Sequence, residues 1–340
     1  MQAKDPKSFL AMFDGKLGAE RNVSRYRSRD DGSHIFHNEE EYYEWWYLDA
    51  AFDNGYRCAM ALHYRNGFKK PITPTMNFSI FKPDGTGILR FAEIDPASAS
   101  AHPDYCDVRM GDSFMKEIGD DYDIFIKIGD TGARLKLKKT VPSWLPGSGL
   151  IYHEKDTGLC EGWVVPVPAG DIEGELYLGD ETLQVKGNGY HDHNWGNCAM
   201  RRVFDYWYWG RIHAGEFCID YAKVVPVDKS MPEINPFLVI RGNEIVLATN
   251  MLKVELEDFR IEPKFNQRYA GRLLLSAEAE GVKADIKIQT HSIVETRELP
   301  KTAERNQNYY RFVADYTMSV EVDGKKEEAA GELLHEHIIL

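Results

Sequence analysis

Two short stretches hold most of the side chains in this chain that could do chemistry. In "GYHDHNWG" (189–196) the histidines His191 and His193 flank Asp192, and Asn194 and Trp195 follow. In an extended backbone successive side chains point to opposite faces, so His191 and His193 share one face while Asp192 and Asn194 share the other. In "EYYEWWYLD" (41–49) the same alternation puts Glu44, Trp46 and Leu48 on one side and Trp45, Tyr47 and Asp49 on the other. An Asp beside a His can fix the imidazole tautomer, and a carboxyl walled by aromatic rings tends to hold its proton, so Asp192 and His193 form a candidate proton-donor unit. Asn194 would orient it. Glu44, a carboxyl among indoles, either pairs with a base such as Arg65 or is a second acid/base group. The rings of Trp46, Tyr47, Trp195, Trp207 and Tyr208 can wall an apolar substrate, and their faces stabilise a cation made by protonating an alkene. A metal reading stays open beside this one. Two histidines on one strand face can chelate zinc or iron, but the third ligands on offer, His63, His153 and His213, stand in no ligand spacing. For His191 taken alone, a satisfied core histidine is the plainer reading.

The elements that must position these residues are strands. "YRCAMALHYR", "MNFSIFKPDG", "YDIFIKIGD", "GELYLGDETLQVKG", "EFCIDYAKVVPV", "GRLLLSAEAEG" and "DYTMSVEVDG" alternate or are β-branched, each bounded by Gly, Asp or Asn turns. Many short strands predict an all-β sandwich or barrel with few short helices, one of them at "DPKSFLAMFDGKLG" (5–18). The Pro-rich segment 141–170 reads as a long connection. A duplication is suggested by laying Trp46, Tyr47, Gly55, Tyr56 and Cys58 over Trp207, Tyr208, Gly215, Phe217 and Cys218. The expected organisation is two tandem β-domains, 1–200 (including the connection 141–170) and 201–340.

Composition bounds the function. A chain of 340 residues with 43% hydrophobic residues, including 18 Tyr, 16 Phe and 7 Trp, can build a large ring-rich core. A net charge of −13 and the lack of any basic track speak against nucleic acid. No apolar run is long enough for a membrane helix, and the charged N-terminal residues do not resemble a signal peptide, so a cytoplasmic protein is expected. Five cysteines without C-x-x-C spacing predict reduced, buried thiols. The glycines before His191 precede no helix, which rules out a phosphate loop, and no G-x-S-x-G elbow is present.

The early "EWWY" (Glu44–Tyr47) and mid-chain "GYHDHNWG" (Gly189–Gly196), in this order, resemble the carotenoid 1,2-hydratase (hydroxyneurosporene synthase) and AttH-like family, whose relatives include fungal kievitone hydratases and lipocalin-like Diels–Alderases. The resemblance implies two lipocalin-like (calycin-like) β-barrel domains around a hydrophobic cavity. It also implies chemistry without metal or cofactor on an apolar alkene, polyene or isoprenoid-like small molecule. In the hydratase branch an alkene is protonated and water captures the cation. The matching positions are Asp192, His193 and Trp195, with Asp220 a further downstream acid; the tyrosine expected in the hydratases near Cys218 is not clearly matched, and the ending "GELLHEHIIL" also departs from the family. Beside the resemblance, His63 is a candidate substrate contact. The same scaffold could fold a polyene for intramolecular cyclisation, or carry an apolar ligand unchanged.

Overall fold

The computed structural model describes residues 23–34, 41–66, 73–154, 157–279, 281–299 and 307–340. Their elements are strands and short 3₁₀ turns, with no α-helix among the described residues. The fold is all-β. The helix expected at 5–18 lies outside the described residues. No helix among them is long and apolar enough to cross a membrane.

The chain divides into two compact units, one containing Val23–Met200 and the other Arg201–Leu340. The first holds β1 (Tyr43–Phe52), β2 (Arg57–Arg65), β3 (Thr75–Phe81), β4 (Gly87–Glu93), β5 (Ala99–Ala101), β6 (Asp107–Met110), β7 (Ser113–Ile118), β8 (Asp121–Ile128), β9 (Thr131–Lys139), β10 (Leu150–His153), β11 (Cys160–Leu178) and β12 (Glu181–Gly196). They form one antiparallel sheet in the order β4-β3-β2-β1-β12-β11-β9-β8-β7-β6-β5, with β10 beside β11. Its core face is apolar: Trp46, Leu48, Cys58, Met60, Leu62, Phe78 and Ile80 are all buried together. Period-two patterning explains the elements, because these core residues fall at every second position of their strands, and Gly55 (φ +83°) supplies the left-handed turn between β1 and β2.

The second unit holds β13 (Phe204–Ala214), β14 (Phe217–Pro226), β15 (Phe237–Arg241), β16 (Glu244–Thr249), β17 (Lys253–Glu262), β18 (Gln267–Ala279), β19 (Val282–Glu298), β20 (Asn308–Val322) and β21 (Lys325–Ile339), in the order β16-β15-β14-β13-β21-β20-β19-β18-β17. Each unit therefore runs its first strands outward from a central strand and returns to pair its last strand beside the first.

The duplication is thus visible in topology, but the residue overlay read from the sequence is one position out. Tyr47 opposes Asp192 in the first unit and Trp209 opposes Glu336 in the second, which makes Trp46 equivalent to Tyr208 rather than to Trp207. Cys58 packs in the first core, whereas Cys218 opposes His213 on the other face of its sheet. A one-residue slip exchanges the two faces, so chemically similar letters aligned side chains that point in opposite directions.

The segment 141–170 is also not one connection. From Cys160 onward it is β11, a central strand of the first sheet. Proline lacks an N–H for the ladder, and the register shifts between Val164 and Val167 and between Val167 and Gly170 absorb Pro166 and Pro168 as irregularities rather than ending the strand.

Candidate active site

The site residues separate by strand face. On the face of the first sheet opposite its apolar core, β12 presents Tyr190, Asp192 and Asn194, β1 presents Asp49, Tyr47 and Trp45, and β2 presents Ala59, Ala61 and His63, in matching rows. β11 adds Trp163 opposite Asn194. This face is polar and aromatic, yet Asp49, Asp192, Tyr190 and Trp163 are buried. Asp192 accepts from the Trp163 indole Nε1 at 3.1 Å and the Tyr190 hydroxyl at 2.9 Å, both on Oδ2, and from Asn194 Nδ2 at 2.8 Å on Oδ1. Three donors to one carboxyl favour its ionised form. The Tyr47 hydroxyl donates to Asp49 at 3.1 Å, and His63 Nε2 lies 3.3 Å from Asn77 Oδ1. The alanines at 59 and 61 leave this face low between Tyr47 and Asn77.

On the core face His191 and His193 enter a buried network instead. His193 stacks on Trp46 with centroids 4.1 Å apart, and its Nε2 lies 3.1 Å from Glu44 Oε1. Glu44 also accepts from the Ser33 hydroxyl, the His34 backbone N–H and the Tyr42 hydroxyl. Burial drives the His193 pKa down to about 3, so its ring is neutral. Burial raises Glu44, with the Tyr42, His34 and Ser33 hydrogen bonds pulling against it. His191 differs. Its Nδ1 faces the Tyr47 carbonyl at 2.7 Å and its Nε2 faces Asp31 Oδ2 at 3.0 Å, and both partners are acceptors. Burial lowers its pKa, but the Asp31 carboxylate, its hydrogen bond and the Tyr47 carbonyl outweigh burial and leave it raised. His191 is an imidazolium paired with Asp31, which also accepts from the Tyr122 hydroxyl at 2.7 Å. Trp195 lies on this side too, stacked on His34 at 3.7 Å.

Asp192 and His193 therefore do not form one donor unit. Neighbours in sequence on a strand face opposite ways, and the buried ring of His193 serves Glu44 while Asp192 serves the other face. Three ligand-type groups, Asp31, Cys106 and His191, come within 4.8 Å of one another. The His191–Asp31 hydrogen bond accounts for the close approach of two of the three.

In the second unit the aromatic run also splits by face. Tyr208 belongs to the core, stacked on His337 at 4.0 Å, with its hydroxyl accepting from the Ala270 N–H at 2.8 Å. Trp207 and Trp209 point the other way. Trp207 Nε1 donates to Glu336 at 3.0 Å, and Trp209 Nε1 donates to the fully buried Asp220 at 2.9 Å. Trp207 and Tyr208 consequently cannot line one wall. Each unit thus has a buried carboxylate gripped by an indole N–H on its non-core face.

Sequence reasoning missed Asp31, Trp163, Tyr190 and Glu161. Asp31 ends a 3₁₀ turn at Ser28–Asp31 and has no periodic signature. Trp163 and Glu161 were hidden by reading their strand as a connection. Tyr190 was within reach, two residues before Asp192 and so on the same face.

A Diels-Alderase-like family profile matches residues 134–289. A hydroxyneurosporene dehydrogenase of Chlorobaculum tepidum is 26% identical over 197 residues, covering 54% of this chain and 48% of that protein. The chain's match thus spans about half the length of that relative. Among solved structures, an AttH-type protein of Nitrosomonas europaea superposes with a TM-score of 0.68 at 14% identity, covering 95% of this chain and 98% of that one. Kievitone hydratase of Nectria haematococca gives 0.62 at 15% identity over 95% and 98%. These structures share the two-unit lipocalin-like fold across nearly the whole chain. In sequence the chain is similar to the Chlorobaculum tepidum protein and to the Diels-Alderase-like profile, and at Glu44–Tyr47 and Gly189–Gly196 it carries the motifs by which it resembles the carotenoid 1,2-hydratase and AttH-like family.

Proposed function

We propose that the protein is an enzyme acting on an apolar alkene or polyene small molecule, and that its reaction is addition of water across a carbon–carbon double bond. The observation that carries this reading is the buried face around Asp192. A polar, aromatic surface is costly to remove from water unless its groups are satisfied or used, and here the carboxylate is held among Trp163, Tyr190 and Tyr47. The names of the relatives, a hydroxyneurosporene dehydrogenase and a kievitone hydratase, support the same direction.

In hydration the alkene π pair takes a proton on one carbon, and the neighbouring carbon becomes a cation. Water oxygen forms the new C–O bond, and the proton it sheds must be accepted. Asp192, fixed as an anion by three donors, suits that acceptance and faces the positive charge; the rings of Trp163, Trp45 and Tyr47 lie on the same side. Glu44, Trp46, His193 and Trp195 act from the core face by holding β1 and β12 in register. Asp220 and Trp207 stand on the non-core face of the second unit, where indole N–H groups meet carboxyls in the same manner.

The test is incubation with acyclic isoprenoid polyenes in ¹⁸O-water, followed by mass spectrometry. A product heavier by one labelled water, lost in Asp192→Asn with the circular dichroism spectrum unchanged, is expected. Return of every polyene unaltered would refute the reading.

The Diels-Alderase-like profile over 134–289 favours a second reading, intramolecular cyclisation on the same scaffold. It needs positioning rather than proton transfer. There Asp192→Asn slows the reaction without abolishing it.

A further inference from the structure

Hydration needs a proton donor as well as an acceptor, and the anionic Asp192 and the neutral, core-facing His193 are both unsuited to donate on this face. β11 carries another carboxyl. Glu161 lies two residues before Trp163 and so shares its face, opposite Gly196 of β12, which in turn opposes Tyr43 of β1. Its side chain is fully buried, and among the described residues no cation pairs with it. Its single hydrogen bond comes from the Cys198 thiol, 3.1 Å from Oε1, while Oε2 is buried without a partner. A carboxylate would leave a charge desolvated with one weak donor; a carboxylic acid needs no counter-charge. Burial accordingly pushes its pKa well above the usual carboxylate range, with the Cys198 hydrogen bond pulling weakly the other way. Oε1 is then the carbonyl oxygen that accepts from Cys198, and Oε2 carries the proton.

Gly196 makes this arrangement fit. A Cβ there would stand 2.4 Å from Glu161 Oε2 and 2.7 Å from the Tyr43 ring, so the protonated oxygen occupies the place of a missing side chain on the face that continues through Asn194 to Asp192. Gly196 lies four residue steps along the strand from Asp192, about 13 Å. Two carboxyls on one buried face, one set neutral by burial and the other ionised by three donors, are an acid and a base whose environments push them apart.

We propose that Glu161 is the proton donor of this face, delivering the Oε2 proton to an alkene carbon of a linear apolar substrate that lies along the row toward Asp192. This rests on the hydration reading. The π pair forms the new C–H bond, the O–H bond of Glu161 breaks and its pair stays on Oε2; in a conjugated polyene the cation is shared along the chain as far as Asp192, where water captures it and Asp192 accepts the proton that water releases. A proton must then pass from Asp192 back to Glu161 before the next turnover, so no net proton is consumed.

The test uses the full chain, infrared spectroscopy and the labelled-water assay. In the wild type near neutral pH, without substrate, a carboxylic-acid C=O band that shifts in deuterium oxide and disappears in Glu161→Gln is expected. With the same polyenes, Glu161→Gln is expected to lose roughly 10²- to 10⁴-fold in turnover, and Glu161→Asp, which keeps an acid on a shorter stem, to recover part of it. Wild-type turnover should fall as pH rises through the raised value of Glu161, a limb that Glu161→Gln lacks. Absence of the band, or wild-type turnover in Glu161→Gln, would overturn the proposal while leaving hydration intact. A wild type that shows the band but converts none of the polyenes would defeat the hydration reading and the donor role with it. If Glu161→Gln does not fold, the band and the activity of Glu161→Asp still decide.

Discussion

Replacing Asp31 by asparagine separates the charge in the His191 pair from its geometry. In the wild type both ring nitrogens of His191 face acceptors, and the raised pKa follows from the carboxylate. Tyr122 and His191 both meet Asp31 Oδ2, so an amide oxygen in that place can still accept the Tyr122 hydroxyl and one Nε2–H of His191, while the ring, without its counter-charge, gives up the proton it directs at the Tyr47 carbonyl. Above about pH 6.5, where the unfolded histidine is neutral, the variant loses one charge-assisted interaction and leaves no unpaired charge, about 1–3 kcal/mol. Below that, unfolding the variant takes up a proton that the folded state refuses, and its deficit grows by about 1.4 kcal/mol per pH unit. The wild type behaves oppositely. Its folded His191 value is raised, so the pair's contribution is complete below the ordinary histidine value and is lost as pH rises through the raised one. The stability gap between the two proteins should therefore be widest on the acid side and narrow with rising pH. Urea unfolding followed by tryptophan fluorescence between about pH 5 and about pH 9 measures it, and five of the seven tryptophans (Trp45, Trp46, Trp144, Trp163 and Trp195) report on the unit concerned. A gap that is constant with pH, or that widens in alkali, would refute the imidazolium assignment.

Three further outcomes are expected. Glu161 is neutral in the fold and ionised in the unfolded chain above its ordinary value of 4.5, so wild-type stability should fall with rising pH by up to about 1.4 kcal/mol per unit until the raised value is passed; Glu161→Gln should flatten that slope in urea titrations. Gly162→Ala would place a methyl 2.1 Å from the Trp195 ring and should cost about 1–3 kcal/mol by calorimetry, with the Trp195 emission altered. Trp163→Phe removes the indole donor from Asp192 but keeps the wall, so turnover should fall about tenfold while the melting temperature moves by only a few degrees; an unchanged rate would show that this hydrogen bond does not matter to the reaction.

How far the sequence revealed this arrangement depended on which physical rule was in force. Strand periodicity gave the all-β class and placed His191 with His193 and Asp192 with Asn194, because alternation along one strand is local. Periodicity alone did not say which face would be core, and that is why Asp192 was joined to His193 and Trp207 to Tyr208. Pro166 and Pro168 disguised β11, so Trp163 and Glu161 went unread. Asp31 reaches His191 across 160 residues from a turn with no repeat of its own, and only the folded chain brings the two together.

The pairing of each unit's first strand with its last has a kinetic consequence. The carbonyl of Tyr47 meets His191 across 144 residues, and the carbonyl of Trp207 meets His337 across 130. Such contacts close some of the longest loops in their units, so their entropic cost falls due before most of their reward, and β1–β12 and β13–β21 should dock late on the folding path. During synthesis the first unit has its outer hairpins available early, but the seam that carries Trp46, Tyr47, Asp192 and His193 cannot knit until β12 has left the ribosome. Substitutions in that seam should then accelerate unfolding far more than they retard folding, which makes the lifetime of the assembled site, rather than the speed of its formation, the property these residues control.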